Sequence, residues 1–269
     1  MRVLVTGGTG TAGRELVRRL RDRGTQVRVL SRRPSSQPGH CQGDLDTGQG
    51  LAAAVAGVDV IAHCATAADY RRRWRDTQGT RRLLAALGDA RPHLVYLSIV
   101  GVDRIPFRYY EDKLATERLI ETSGLPWTIL RTTQFHDLVL LFAMFAVTGP
   151  LALAPRGLRA QPVDVGEVAD RMAELALGDP AGRVPDLGGP QVLTSADVIR
   201  TYLAAAGLRR LPVPVPVPPL GKVLTGFRAG EHLLPVGGVR GTRTFQDYVR
   251  SRIRPDGTVA PPYPGRFGR

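Results

Sequence analysis

The stretch that decides the fold is VLVTGGTGTAG, residues 3–13. Val3–Val5 is an unbroken apolar run, typical of a strand buried on both faces of a parallel sheet. Leu16, Val17 and Leu20 follow at helical spacing. Glycines between a strand and a helix let backbone N–H groups approach a pyrophosphate, which then faces the positive end of the helix dipole. The loop residues predicted to bind a dinucleotide are Gly7, Thr9, Gly10, Thr11, Ala12 and Gly13.

Outward from this loop, apolar strands alternate with amphipathic helices. The predicted strands are Val27–Leu30, Val58–Ala62, Leu94–Leu97 and Trp127–Leu130, and a helix is predicted over Lys113–Thr122. Such alternation indicates an α/β fold with a doubly wound parallel sheet, covered by helices on both faces.

Beyond residue 135 the pattern loosens. Asp164 and Thr194 each open a helix with a capping pattern, and residues 180–190 read as a loop with at most a short strand. Leu211–Pro219 alternates valine with proline and so cannot be a central strand. We expect a dinucleotide-binding domain over 1–135, a small C-terminal substrate lobe interleaved with the sheet over 136–253, and a loosely ordered tail over 254–269.

The end of the second strand bears on the choice of nucleotide. An acidic residue there would hold the ribose hydroxyls of NAD, but the chain has Ser31, Arg32 and Arg33 instead. Because arginine binds phosphate oxygens bidentately, these residues favour the 2′-phosphate of NADP(H). The alternative is that both belong to a general arginine bias, since only Lys113 and Lys222 of the 37 basic residues are lysines. Asp44, followed by Leu45, is predicted to meet the adenine or to be an exposed loop aspartate.

The remaining composition excludes several classes of protein. The net charge of +13 suits a solvated basic surface or an anionic small ligand, and without a recognisable motif we expect no nucleic-acid partner. Two cysteines form no disulfide scaffold. His40 and Cys41 are predicted to lie in a loop, and their spacing from His63 and Cys64 supports no metal site. Leu138–Ala154 is uncharged but interrupted by Gly149-Pro150, so we expect a buried or pocket-lining segment, no membrane partner and a cytoplasmic protein.

Several of these motifs together resemble the short-chain dehydrogenase/reductase superfamily, most of all its atypical, NmrA-like branch of NAD(P)-binding proteins. The resemblance is strong over residues 1–135 and weaker over 136–250. It is carried by residues 6–13, 43–45, Asp76 with Gly79-Thr80, 97–103, 109–113 and 125–131. It implies a Rossmann fold in which Cys64, Ala65 and Thr66 follow the cofactor ribose. It also implies that Gln134 and Phe135 approach the nicotinamide; His136 would line the substrate site or be a structural histidine.

The same resemblance suggests a catalytic set of Ser98, Tyr109 and Lys113. Tyr109 and Lys113 are four residues apart and share a helix face, where an ammonium stabilises a phenolate able to exchange a proton with substrate. Lys113 would also hold the ribose, and Ser98 would polarise a carbonyl. The alternatives are that the tyrosine pair serves packing, with Tyr110 against the sheet, and that Ser98 is a simple strand-end hydroxyl.

The predicted function is an NADPH-dependent oxidoreductase, a reductase of a carbonyl, enone or quinone. Phe142, Met144 and Phe145 suggest that the small-molecule substrate is apolar or aromatic. The alternatives are a non-catalytic NADP(H)-binding redox sensor of the NmrA-like type and a structural subunit stabilised by the nucleotide. The architecture is also compatible with a homodimer.

Overall fold

The computed structural model describes residues 1–66, 74–148, 150–218 and 221–263. These residues form two compact units. The first consists of residues 1–131 and 165–185, and the second of residues 132–164 and the described part of 186–269. Residues 165–185, which the sequence analysis placed in the C-terminal lobe, thus group with the first unit.

Strands and helices follow one another along the whole described chain. The strands are β1 (Arg2–Thr6), β2 (Gln26–Ser31), β3 (His40–Gln42), β4 (Val60–His63), β5 (His93–Ile99), β6 (Trp127–Thr132), β7 (Val147–Thr148), β8 (Leu151–Pro155), β9 (Arg159–Ala160), β10 (Gly182–Arg183), β11 (Leu187–Gly188), β12 (Leu193–Thr194), β13 (Pro212–Val215) and β14 (Val239–Arg240). The helices are α1 (Thr11–Asp22), α2 (Leu51–Val55), α3 (Arg75–Ala85), α4 (Arg108–Glu121), α5 (His136–Ala146), α6 (Val165–Leu177), α7 (Ser195–Ala205), α8 (Gly221–Ala229) and α9 (Phe245–Arg250).

The first unit is built on a sheet with the strand order β3-β2-β1-β4-β5-β6. Strand β1 pairs in parallel with β2 and with β4, so the order reverses on either side of it. This is the order of doubly wound nucleotide-binding sheets, and ligands bind at such a reversal, outside the carboxyl ends of the strands. The predicted fold class is confirmed.

Helices cover this sheet because its strands are apolar on both faces. Val3, Leu4 and Val5 of β1 are fully buried, as two-sided burial requires. On one face a core forms around Leu83 of α3, Ile120 of α4 and the strand residues opposite them. Helix α6 packs against α1, and Asp170 of α6 accepts a hydrogen bond from Arg19 of α1 at 3.0 Å.

The second unit has its own apolar core. Helices α5, α7 and α9 contribute Leu140, Val198 and Val249 to it. The predicted cap of α7 is confirmed, because Thr194 and Asp197 form a reciprocal capping box. The valine–proline run is extended over Pro212–Val215, as predicted. Its strand β13 lies at the edge of the small sheet β13-β8-β7, where prolines lacking an N–H are tolerated.

Three local predictions need correction. His40 and Cys41, predicted in a loop, lie in β3, paired with β2. Helix α4 begins five residues before Lys113 rather than at it. The tail was predicted to be loosely ordered, but over 254–260 it turns back on itself: Ala260 N–H donates to Arg252 O at 2.8 Å and Val259 is buried. Residues 264–269 of that tail lie outside the described residues.

Within the part of the chain that the structure describes, no helix is long and apolar enough to cross a membrane. The uncharged segment 138–154 instead belongs to α5, β7 and β8. Among the same residues, no three His, Cys, Asp or Glu side chains come together as a metal site.

Candidate nucleotide-binding and catalytic site

The glycine loop between β1 and α1 leaves no room for a side chain at Gly7 or Gly13. Gly7 has a φ of +68°, and a Cβ there would lie 2.7 Å from the backbone nitrogen of Ala65. A Cβ on Gly13 would overlap the carbonyl oxygen of Gly7. The N-terminus of α1 has no side-chain cap at Gly10, so its first-turn amides face the loop uncapped. This cradle, which a single Cβ would fill, fits the pyrophosphate of a dinucleotide.

The residues predicted to select the nucleotide lie at the carboxyl end of β2. Arg32 and Arg33 are exposed, and the Ser31 hydroxyl accepts from the backbone N–H of Arg33 at 3.2 Å. Neither guanidinium has a hydrogen bond or ion pair to another described residue, so both are available to an anion. Asp44 is half-buried and accepts from the N–H of Asp46 at 2.9 Å, which makes a local turn beside Leu45.

A buried histidine joins the ends of β1 and β4. Nδ1 of His63 lies 2.5 Å from the Thr6 hydroxyl, and Nε2 lies 2.9 Å from the Thr80 hydroxyl. The Thr80 hydroxyl donates to the Asp76 carbonyl at 2.8 Å, so it accepts from His63 and the ring carries its proton on Nε2. Burial, with Lys113 nearby, lowers the pKa of His63 to about 3. The ring is therefore neutral. Its contact with Thr6 holds the end of β4 to the end of β1, from which the glycine loop begins.

Lys113 is a buried cation beside this junction. Its Nζ lies 3.5 Å from Oδ2 of Asp76 and 4.9 Å from the centre of the Tyr96 ring. The Lys113 and Asp76 side chains are each 4% exposed. Burial alone would lower the pKa of Lys113, but Tyr96, Tyr109 and Asp76 raise it well above its ordinary value. Lys113 is therefore a fixed positive charge.

Tyr109 stands next to this charge at the first turn of α4. Its ring centre lies 5.9 Å from Nζ of Lys113, and its hydroxyl lies 3.0 Å from that of Thr66. Tyr109 is partly exposed, whereas Tyr110 is buried against Phe107. Of the two tyrosines, Tyr110 is therefore the one that packs inside.

Two other predicted residues lie at the carboxyl ends of β5 and β4. Ser98 is 1% exposed, and among the described residues its hydroxyl has no hydrogen-bond partner. A contact with substrate, which stays a prediction, would require this hydroxyl to be uncovered. Cys64 follows β4 as expected, and burial raises the pKa of its thiol to about 12, so the thiol stays protonated.

The residues predicted to meet substrate belong to the second unit. The Gln134 side chain donates to the His232 carbonyl at 3.2 Å, and the half-buried Phe135 forms a backbone bridge with Val163. His136 is fully buried, with its ring 5.1 Å from that of Tyr248. A substrate role for His136 would require this ring to be uncovered, whereas its present contacts suit the structural alternative.

Sequence reasoning missed how Asp76 and Asp112 are used. The carboxylate of Asp112, the neighbour of Lys113, accepts from the backbone N–H groups of Asp76 and Thr77, both at 3.0 Å. It therefore caps α3 from α4, since the N-cap residue of α3, Trp74, provides no side-chain cap. The only signal in the sequence was that Asp112 lies between Tyr109 and Lys113, which had already been singled out. Its partner Asp76 lies 36 residues away, so the contact could not be inferred from spacing.

Known proteins resemble this chain in sequence and in fold. A family model described as NAD(P)H-binding matches residues 7–138. A Streptomyces griseus protein, (4-alkanoyl-5-oxo-2,5-dihydrofuran-3-yl)methyl phosphate reductase, is 30% identical over 211 residues, covering 72% of this chain and 70% of that protein. The 3-beta-hydroxysteroid dehydrogenase of Mycolicibacterium neoaurum is 40% identical over 102 residues, or 32% of this chain.

The alignments with the first curated relatives span only 26–28% of those proteins' lengths. In fold, the chain is similar to the NADPH-dependent quinone oxidoreductase QOR2 of Escherichia coli, with a TM-score of 0.74 at 17% identity. That superposition covers 91% of this chain and 98% of QOR2. With the glycine cradle, the strand order and these relatives, the chain belongs to the family of NAD(P)H-binding proteins, and its fold is similar to that of a short-chain dehydrogenase/reductase superfamily protein from Agrobacterium tumefaciens, with a TM-score of 0.70 at 21% identity.

Proposed function

We propose that this protein is an NADPH-dependent reductase that acts on a carbonyl, enone or quinone of a small apolar compound. The observation that carries the proposal is the pair formed by Tyr109 and Lys113. A partly exposed phenol lies beside a buried ammonium, on one helix of the unit that contains the nucleotide cradle.

The chemistry divides between the cofactor and the chain. A bound NADPH would supply the hydride for the new C–H bond of the substrate. Tyr109 gives its hydroxyl proton to the substrate oxygen, so the carbonyl becomes an alcohol and a tyrosinate is left. Lys113 stabilises that tyrosinate by its fixed charge and would also hold ribose hydroxyls of the nucleotide.

The preference for NADPH rests on the end of β2. Arg32 and Arg33 are exposed and unpaired among the described residues, and they follow Ser31, the last residue of the strand. An added phosphate on the ribose would meet two guanidiniums there, and no carboxylate follows β2 to hold a free 2′-hydroxyl.

The substrate class is supported by the relatives' names and by the second unit. The two relatives are named for an oxo-dihydrofuran ring that carries a methyl phosphate and for a hydroxysteroid, so both names describe rings with a carbonyl or hydroxyl group. Phe142 and Phe145 are exposed on α5, a surface suited to apolar ligands.

Calorimetric titration with NADPH and with NADH, followed by NADPH oxidation with quinones and aromatic ketones, tests the proposal. We expect tighter binding of NADPH, with turnover. The Tyr109→Phe variant should keep its nucleotide affinity and lose about 100-fold to 10,000-fold in kcat. Tyr110→Phe, which removes the hydroxyl of the buried neighbour, should keep both the nucleotide affinity and the kcat of the parent.

Tight binding without turnover by any of these compounds would contradict the reductase. It would assign the chain to the non-catalytic class of NADP(H)-binding sensors. Absence of binding by either nucleotide would overturn the assignment of the glycine cradle itself.

A further inference from the structure

Four side chains of the first unit form a continuous chain of contacts that ends at Tyr109. The hydroxyl of Thr66 donates to Oδ2 of Asp76 at 2.6 Å and lies 3.0 Å from the hydroxyl of Tyr109. The same Oδ2 lies 3.5 Å from Nζ of Lys113. The phenol is thus connected to the buried ion pair through one threonine.

The direction of the hydrogen bonds in this chain follows from counting protons. Asp76 is paired with a buried ammonium, so its carboxylate only accepts. Thr66 has a single hydroxyl proton and gives it to Asp76. In the remaining contact Tyr109 must therefore be the donor, and the order is Tyr109 to Thr66 to Asp76.

We propose that Thr66 is a positioning residue for Tyr109 in the reduction described above, on which this inference rests. While the phenol is neutral, the Thr66 oxygen accepts its proton and holds the ring in place. When Tyr109 has passed its proton to the substrate oxygen, the Thr66 hydroxyl turns and donates to the tyrosinate. Thr66 keeps its own proton throughout, so the transferred proton comes from Tyr109 alone.

Asp76 and Lys113 make this turn of the hydroxyl feasible. When Thr66 stops donating to Asp76, the carboxylate is still compensated by the ammonium 3.5 Å away. The carboxylate also lies in the first turn of α3, where the helix dipole favours negative charge. Both acceptors are charged, but a tyrosinate is a much stronger base than a carboxylate and Asp76 keeps Lys113 as its partner, so the tyrosinate competes well for the proton of Thr66.

Infrared spectroscopy of the protein carrying ring-labelled tyrosine tests the assigned direction without substrate or nucleotide. The phenol C–O stretching band moves in opposite directions when the hydroxyl donates and when it accepts. The parent-minus-Tyr109→Phe difference spectrum isolates the Tyr109 band. We expect a donor band in the parent and in Thr66→Ser, and its loss in Thr66→Val. An acceptor band in the parent, or a donor band kept in Thr66→Val, would overturn the proposal.

Kinetics with NADPH and a quinone test the effect on the reaction. Thr66→Val should lower kcat about tenfold to hundredfold with little change in KM, because the tyrosinate loses a donor. Thr66→Ser should recover most of that loss. Thr122→Val, which removes a hydroxyl bonded to the Arg118 carbonyl near the end of the same helix, should change nothing.

A double-mutant comparison separates positioning from general damage. In the Tyr109→Phe background the residue through which Thr66 acts is gone, so Thr66→Val should cause no further loss. Additive losses would contradict the proposal. If the parent protein shows no turnover, the proposed reductase fails, and the infrared result still decides whether Thr66 positions Tyr109.

Discussion

The guanidinium of Arg131, at the end of β6, donates two hydrogen bonds to the carboxylate of Glu117 on α4, at 2.8 and 2.6 Å. Arg131 is 5% exposed and Glu117 is 1% exposed. A third nitrogen of Arg131 lies 2.9 Å from the carboxylate of Asp103, which follows β5. This ion pair therefore fixes the helix that carries Tyr109 and Lys113 to the sheet beneath it.

Removing the charge of Glu117 should destabilise the protein strongly. Glu117→Gln leaves a buried guanidinium without its main counter-charge, and breaking such a pair costs about 3–5 kcal/mol. The free energy of unfolding in urea measures the loss. Glu174→Gln is the matched control, because its partner Arg171 is exposed and such pairs contribute at most about 1 kcal/mol. Equal losses in the two variants would contradict the structural role assigned to Glu117.

Gly13→Ala should abolish nucleotide binding. The added methyl group would overlap the Gly7 carbonyl oxygen, and the loop must open to relieve the contact. Gly24→Ala is a useful control, because Gly24 has a φ of +72° but a methyl group added there would meet no atom within 4 Å. It incurs only the conformational cost, about 1–2 kcal/mol, and should keep nucleotide affinity. Calorimetric titration with NADPH compares the affinities of the two variants. Unaltered affinity in Gly13→Ala would refute the assignment of the glycine loop as the nucleotide site.

Replacing Arg32 and Arg33 by alanine should weaken NADPH binding and leave NADH binding nearly unchanged. Each hydrogen bond to a charged group contributes about 1.5–3 kcal/mol, so the preference for NADPH over NADH should fall at least about tenfold. The double variant Arg91→Ala/Arg118→Ala removes the same charge elsewhere in the first unit. An equal loss for both nucleotides would show that the two arginines act only through net charge.

Stability should decrease on acidification through the titration of His63. Its folded pKa of about 3 lies below the ordinary value of 6.5, so the unfolded chain binds the extra proton first. The neutral ring thus contributes stability that is fully present above pH 6.5 and is lost as the pH falls from there towards 3. The free energy of unfolding in urea is measured at about pH 7 and at about pH 4. Between these two pH values it should decrease less for His63→Gln than for the parent. If the free energy of unfolding decreased equally in His63→Gln and in the parent, the stabilising role of the neutral His63 ring would be contradicted. His40→Gln is the control for the loss of an imidazole elsewhere.

Much of the first unit could be predicted because its signals are local. Val3–Val5, the three glycines and the helical spacing of Leu16 and Leu20 lie within 18 residues of one another, and each is dictated by backbone geometry or periodicity. The four-residue spacing of Tyr109 and Lys113 likewise implies one helix face, and the structure has both on α4.

The contacts that organise the site could not be predicted in the same way. Thr66 meets Tyr109 across 43 positions, and His63 meets Thr6 across 57. Neither partner stands out by residue type, since threonines are common and a lone histidine is usually structural. For Ser98 the local position was predicted and the environment was not. Its place at the end of a strand was predicted correctly, but its burial depends on neighbouring elements that the local sequence does not reveal.

The cap that Asp112 places on α3 also bears on how this unit folds. A helix with its own N-cap can form its first turn alone, but α3 obtains that cap from α4. The first turn of α3 is therefore completed only when the two helices dock. We therefore expect the two helices to behave as one cooperative element, in which Asp76 and Lys113 become ordered together.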